Sequence, residues 1–247
     1  DGFAYQGEPS PHREGRRRGE ASVGLPRAVF VNFIQNHDQI GNRAFGERLV
    51  TLTDEKKLKA LSAIHLLAPS PPLMFMGEEW GCRQPFLYFC DYEGELGENV
   101  REGRRREFAR FPEFSDPAAR ERIPDPNDPR TFETAVLDWS VPDGAGHRQW
   151  LDLHRQLLDL RAKVIVPLLD RLDTGSGHFR QPAGRTLVAG WPLAGGGELN
   201  LHANLSGEDC TSAPAGPREC IYLTHPDNPG LIQKGAWPAW FAAWSLK

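Results

Sequence analysis

Within fifty residues the chain runs from an apolar stretch to an amphipathic helix and back to an apolar stretch. That order leaves few architectures open. Residues 28–35 (AVFVNFIQ) are β-branched and aromatic at successive positions, the pattern of a strand buried on both faces. Residues 54–68 (DEKKLKALSAIHLLA) place Leu58, Leu61, His65 and Leu66 at helical spacing, with Asp54 positioned to cap the start. Pro69, Pro71 and Pro72 end that helix, and residues 73–76 (LMFM) read as a second strand, closing on Gly77-Glu78-Glu79-Trp80. A strand–helix–strand unit of this length requires parallel strands, and parallel strands belong to α/β folds.

The remaining segments differ in kind. Residues 1–27 show neither periodicity and read as a long loop, with the Arg16-Arg17-Arg18 run solvated between Glu14 and Glu20. Residues 81–146 also lack a clear period; so long a loop is uncommon unless it serves function. It holds an acidic stretch from Asp91 to Glu102, followed by Arg104-Arg105-Arg106, for which a solvated or acid-paired face is expected. Residues 147–164 return to helix, with Trp150, Leu153, Leu157, Leu160 and Val164 on one stripe. Beyond residue 170, short runs at 185–193, 198–205, 219–223 and 239–246 read as strands, and Gly195-Gly196-Gly197 marks a hairpin turn. Trp237, Trp240 and Trp244 suit sheet packing. Short strands separated by turns suggest an antiparallel β-sandwich. The expected division is therefore residues 1–165 and residues 166–247.

Composition narrows the function classes. The net charge of −4 disfavours a nucleic-acid partner, which normally meets a basic face. No apolar run reaches the roughly 18 residues that span a bilayer. Residues 1–20 carry no apolar stretch of a secretory leader, so a cytoplasmic protein without membrane partners is expected. The first residue is Asp, not Met, which fits a mature product or part of something longer. Cys82, Cys90, Cys210 and Cys220 have no metal-ligand spacing, so free thiols, no metal and no cofactor are expected.

The chemistry-bearing stretch follows the first apolar run: Asn36-His37-Asp38-Gln39-Ile40-Gly41-Asn42. A carboxylate, an imidazole and two amides converge there, a donor and acceptor set suited to a polyhydroxylated ligand. In parallel barrels the active site lies at the C-terminal ends of the strands. Asn and Asp also favour turns, so the tripeptide alone carries little weight.

The longer string VNFIQNHDQIGNRAFGERL at 31–49 resembles the fourth signature region of the α-amylase family of glycoside hydrolases. The form QNHDQIGNR resembles the trehalose-releasing branch of that family. FAYQGEPSPHR at 3–13, LMFMGEEWG at 73–81, GRRREFARF at 103–111 and IPDPNDPRTFETAVLDW at 123–139 match the same branch in order. The resemblance implies the C-terminal part of a (β/α)8 barrel, with residues 29–35 as the seventh strand, followed by a β-sandwich. It implies a retaining hydrolase that cleaves the α-1,4 bond beside the terminal trehalose of maltooligosyltrehalose, with related α-glucans as ligands. Asp38 matches the family's transition-state-stabilising carboxylate and His37 its sugar-binding histidine; Gln39 and Asn42 follow as substrate contacts. The motifs of the family's nucleophile and general acid do not occur in the 247 residues.

Other residues are expected to be structural. Glu78 or Glu79 would partner a basic side chain at the barrel rim, and His65 would be a satisfied core histidine. Trp80 and Phe86 suit packing and sugar stacking equally. Two other readings stand beside the hydrolase: a non-catalytic glucan-binding module, and another α-amylase-family enzyme such as a glycogen branching enzyme. The stretch from Asn36 to Arg43 disfavours the latter.

Overall fold

The computed structural model describes residues 5–172, 175–225, 227 and 229–247. The first two residues of the FAYQGEPSPHR motif lie outside them. In chain order the elements are β1 (Gln6–Pro9), β2 (Arg17–Gly19), α1 (His37–Gly41), α2 (Leu49–Leu52), α3 (Glu55–Leu67), α4 (Gly94–Phe108), α5 (Pro117–Glu121), α6 (Pro129–Ala135) and α7 (Ala145–Leu160). There follow β3 (His178–Arg180), β4 (Thr186–Pro192), β5 (Glu198–Asn204), β6 (Tyr222–Leu223), α8 (Pro229–Gln233) and β7 (Phe241–Leu246). They form two compact units. One comprises Asp1–Ile34, Glu55–Leu73 and Arg155–Lys247; the other comprises Gln35–Asp54 and Met74–His154.

The first unit is built on a five-stranded antiparallel sheet of order β3-β4-β5-β7-β6. The expected hairpin forms between β4 and β5, Thr186 facing Asn204 and Pro192 facing Glu198. Gly195, Gly196 and Gly197 all take positive φ, a run that residues bearing a Cβ adopt only with strain. One face of the sheet carries Leu199, Leu201, Ala203 and Trp244, and α3 covers it: Trp244 Nε1 donates to the Ala63 carbonyl at 3.1 Å. The other face carries Val188, Phe241 and Ala243, which pack with Ile232 and Trp237. The expectation of a two-sheet sandwich is not met among the described residues, which form one sheet here. The segment between β5 and β7 is broken by Gly207, Pro214, Gly216 and Pro217 and pairs only two residues into β6. Apart from β6 and α8, its described residues cover that face as irregular chain.

The parallel strand–helix–strand unit is present in reduced form. Asn32 and Pro72 form a single parallel bridge, with Asn32 N–H donating to the Pro71 carbonyl (3.0 Å) and Leu73 N–H to the Asn32 carbonyl (2.8 Å). Pro71 and Pro72 have no N–H to extend the ladder. Val29, Val31, Phe33 and Leu73 are exposed rather than buried on both faces, because no further strand pairs with either run among the described residues. His65 is buried on α3 with Nε2 3.1 Å from the Asn32 carbonyl, as expected. Residues 1–27, read as loop, contain the β1–β2 hairpin, tied to Ser22 by the Gln6 side chain.

The second unit is helical. The largest departure from the sequence reading is α4, fifteen residues inside a segment read as loop. Its buried stripe is Gly97, Arg104 and Phe108. Those positions share one helical face, but only one residue is apolar, so the pattern is invisible to hydrophobic periodicity. The helix at 147–164 appears as α7, which widens into a π turn over Arg161–Ile165.

Candidate active site

The chemistry-bearing stretch folds as α1. Asn36 has extended dihedrals (φ −148°, ψ 179°) and its side chain accepts from the Gln39 N–H at 2.9 Å, so it is an N-cap. The next two side chains are exposed. His37 Nε2 lies 3.5 Å from Asp38 Oδ1, and the two side chains are 68% and 73% exposed. Asp38 is thus a carboxylate open to solvent, with an imidazole beside it and free oxygen lone pairs for a ligand. Gln39 and Asn42 turn to a neighbouring face. Both line a hollow of about 530 Å³ whose walls include Phe45, Phe111, Phe114 and Arg122. His37 and Asp38 are not part of that lining. The four expected site residues therefore form two adjacent pairs, one charged and exposed, one amide-bearing and set into a hollow.

The end of α1 is held by Arg104. Its Nη2 donates to the carbonyls of Gly41 (2.8 Å) and Arg43 (2.9 Å), and its guanidinium lies 5.0 Å from the Tyr88 ring centre. The expectation of a solvated or acid-paired arginine is corrected for Arg104, which is buried. Arg105 does pair with an acid, Glu102, at 3.3 Å.

Below the turn lies a buried polar cluster. Gln35 accepts from the Leu49 N–H (3.2 Å) and donates to Glu78 Oε2 (3.2 Å), which also accepts from the Phe75 N–H (3.2 Å). Arg48, fully buried, donates to the carbonyls of Gln84 (2.6 Å) and Met76 (2.7 Å). Burial pushes the Glu78 carboxyl up to about 7, against the opposing pull of the Phe75 N–H, the Gln35 amide and Arg48. Burial also lowers the Arg48 guanidinium from its ordinary range. Glu78 Oε1 and Arg48 Nη2 have no hydrogen-bond partner among the described residues. Glu78 does sit beside a basic group, in a buried cluster rather than at an open rim.

Aromatics after residue 76 mostly pack on one another. Trp80 is buried against Trp139 (5.1 Å), and Phe86 meets Phe75 (5.1 Å) and Phe89 (5.8 Å) edge-on. All four cysteines are free. Among the described residues no three His, Cys, Asp or Glu side chains come together as a metal site, and no helix is long and apolar enough to cross a membrane.

No family model matches the chain. A Deinococcus radiodurans protein named malto-oligosyltrehalose trehalohydrolase is 43% identical over 166 residues, which is 65% of this chain and 26% of that protein. A Mycobacterium tuberculosis protein of the same name is 32% identical over 214 residues, 84% of this chain and 34% of that one. The chain is homologous to the malto-oligosyltrehalose trehalohydrolases. It spans between a quarter and about a third of the length of these curated relatives. A crystal structure of a Salmonella typhimurium protein, provisionally named an alpha amylase, superposes with a TM-score of 0.84. It is 41% identical, and the match covers 100% of this chain and 40% of that one. The helices and antiparallel sheet described above are thus those of part of an alpha-amylase-like chain. Of the residues around that turn, Gln35, Arg48 and Glu78 were missed as a connected set, and Arg104 was missed as the clamp on the end of α1. Gln35 is the residue before the NHD motif, and Arg48 is the third residue of the GERL string; those positions were the available signal.

Proposed function

We propose that this chain is the C-terminal part of a glycoside hydrolase that releases trehalose from maltooligosyltrehalose in the cytoplasm. Residues 1–165 would complete a (β/α)8 barrel and residues 166–247 would form a separate β-domain. The observation that carries the reading is the capped turn Asn36–Asn42, which presents Asp38 and His37 outward, in a chain homologous to trehalohydrolases. Asp38 stabilises the positive charge that develops at the anomeric carbon and accepts from hydroxyls of the same sugar. His37 hydrogen-bonds that sugar, and Gln39 and Asn42 contact the neighbouring rings. Nucleophile and general acid come from outside these residues, so the isolated chain does not hydrolyse glucan.

The cleaved bond is the α-1,4 link beside the terminal trehalose, and the α,α-1,1 bond stays intact. That choice requires a wall shaped for a bent, non-reducing disaccharide, with polar groups left unpaired by the wrong sugar; such sites discriminate by up to about 10⁴. The test is chromatography of products from maltooligosyltrehalose and from plain maltooligosaccharides of equal length, using the intact protein. Free trehalose should appear far faster than any product of the plain glucan. Comparable rates, or maltose as the main product, would move the assignment to a general α-amylase.

A further inference from the structure

The sheet of the first unit holds a second polar site, built from none of the residues of the candidate active site. His202 on β5 faces Ala243, and Asn200 faces Ser245 on β7, so His202 and Ser245 are diagonal neighbours on one face. Both are more than nine-tenths buried, at 7% and 1% exposed. Neither ring nitrogen of His202, nor Ser245 Oγ, has a hydrogen-bond partner among the described residues. Folded proteins leave few buried polar groups unpaired, because such a group has lost its water without replacement. Both side chains line one cavity of about 470 Å³, walled by Gly216 and Pro217, with Arg218, Glu219 and Lys247 also in the lining. That volume lies within the roughly 300–1,000 Å³ of small-molecule sites.

The hydrogen-bonding character of the site selects the ligand class. Burial, with Lys247 and Arg180 adding to it, lowers the His202 imidazole to about 4. The ring is neutral near pH 7 and offers one donor and one acceptor nitrogen. Ser245 adds a hydroxyl that donates and accepts. The Trp237 ring, 5.7 Å away at 83°, holds the imidazole edge-on. Adjacent hydroxyls, each a donor and an acceptor, complement that set. A small anion offers chiefly acceptors, with at most one or two hydroxyl donors. It would leave a bare ring nitrogen facing negative charge, or need a protonation that is disfavoured roughly 10³-fold at pH 7.

We propose that this cavity binds a neutral polyhydroxylated ligand, one glucosyl unit of an α-glucan, through His202 and Ser245. The choice of a glucosyl unit rests on the function proposed above; the preference for hydroxyls rests on the cavity. The probes are maltose and inorganic phosphate, added separately to the intact protein labelled with ¹⁵N at histidine. Maltose should shift the His202 ring signals saturably in the millimolar range, where weak sugar sites bind, and phosphate should not. Ser245→Ala should weaken that apparent Kd about tenfold, the loss of one good hydrogen bond. His202→Leu should remove one maltose site by calorimetry. Asp38→Asn should leave the His202 shift intact while trehalose release collapses, so the two sites fail separately. A shift with phosphate but not maltose would overturn the proposal in favour of an anion site. Silence toward both, or a shift unchanged in Ser245→Ala, would overturn it as well.

Discussion

Asp38 and Glu78 lie in the same unit and carry the same functional group, yet their surroundings give them opposite work. Asp38 stands on the first turn of a capped five-residue helix and is 73% exposed, with His37 at 3.5 Å. Glu78 is buried, takes bonds from Gln35 and the Phe75 N–H, and shares its pocket with the guanidinium of Arg48. The exposed carboxylate keeps its charge available to a ligand, and little of the fold depends on it. The buried one is committed to neighbours from distant parts of the chain, and its ionisation costs stability. A carboxylate after a strand is therefore a poor guide to chemistry until its burial is known.

The sharpest way to break this contrast is to remove the cation on the buried side. Arg48→Met should cost about 3 kcal/mol or more in urea denaturation, because the Met76 and Gln84 carbonyls lose a buried donor and Glu78 loses a neighbouring cation. A loss below about 1 kcal/mol would mean that the cluster is held by apolar packing alone.

A pH series on Glu78→Gln sharpens the contrast next. The folded carboxyl titrates near 7, above its ordinary 4.5, so the folded state binds the extra proton. The favourable contribution is complete below about pH 4.5 and is lost as pH rises through 7. Wild type and Glu78→Gln should therefore match near pH 5, and the variant should be more stable by about 2 kcal/mol at pH 8. Parallel stability curves across that window would show that Glu78 ionises without penalty.

The smallest effect concerns the clamp on the turn. Arg104→Met removes the guanidinium donor from the Gly41 carbonyl and leaves the Arg43 carbonyl with the Gly46 N–H (3.3 Å), and should cost about 1–2 kcal/mol. It should also raise KM several-fold in the intact protein, since Gln39 and Asn42 sit on the loosened end of α1. An unchanged KM would separate Arg104 from ligand binding.

What could be read in advance follows from which residues carry the information. Strands β4, β5 and β7 and helices α3 and α7 were legible because apolar residues such as Val188, Leu199, Leu201, Phe241, Trp244, Leu66 and Leu157 recur through them. Helix α4 was not, since its buried face is Gly97, Arg104 and Phe108. The strand character of 28–35 was over-read, because a strand is completed by neighbours and Asn32 has one bridge partner. Within the site, Asn36 to Asn42 was legible from residue types and order. The cluster of Gln35, Arg48 and Glu78 joins residues up to 43 apart, and no local pattern marks such a meeting.

The account turns on Asp38 being free to act on a ligand. The direct measurement is kcat for trehalose release by the intact protein carrying Asp38→Asn, taken with its thermal midpoint. Replacing the charge that faces a cationic transition state should lower kcat by roughly 10²-fold or more. The midpoint should stay within about 2 °C of wild type, as among the described residues the side chain's one partner is His37. A kcat within about threefold of wild type, or a fall that merely tracks unfolding, would contradict the role given to Asp38.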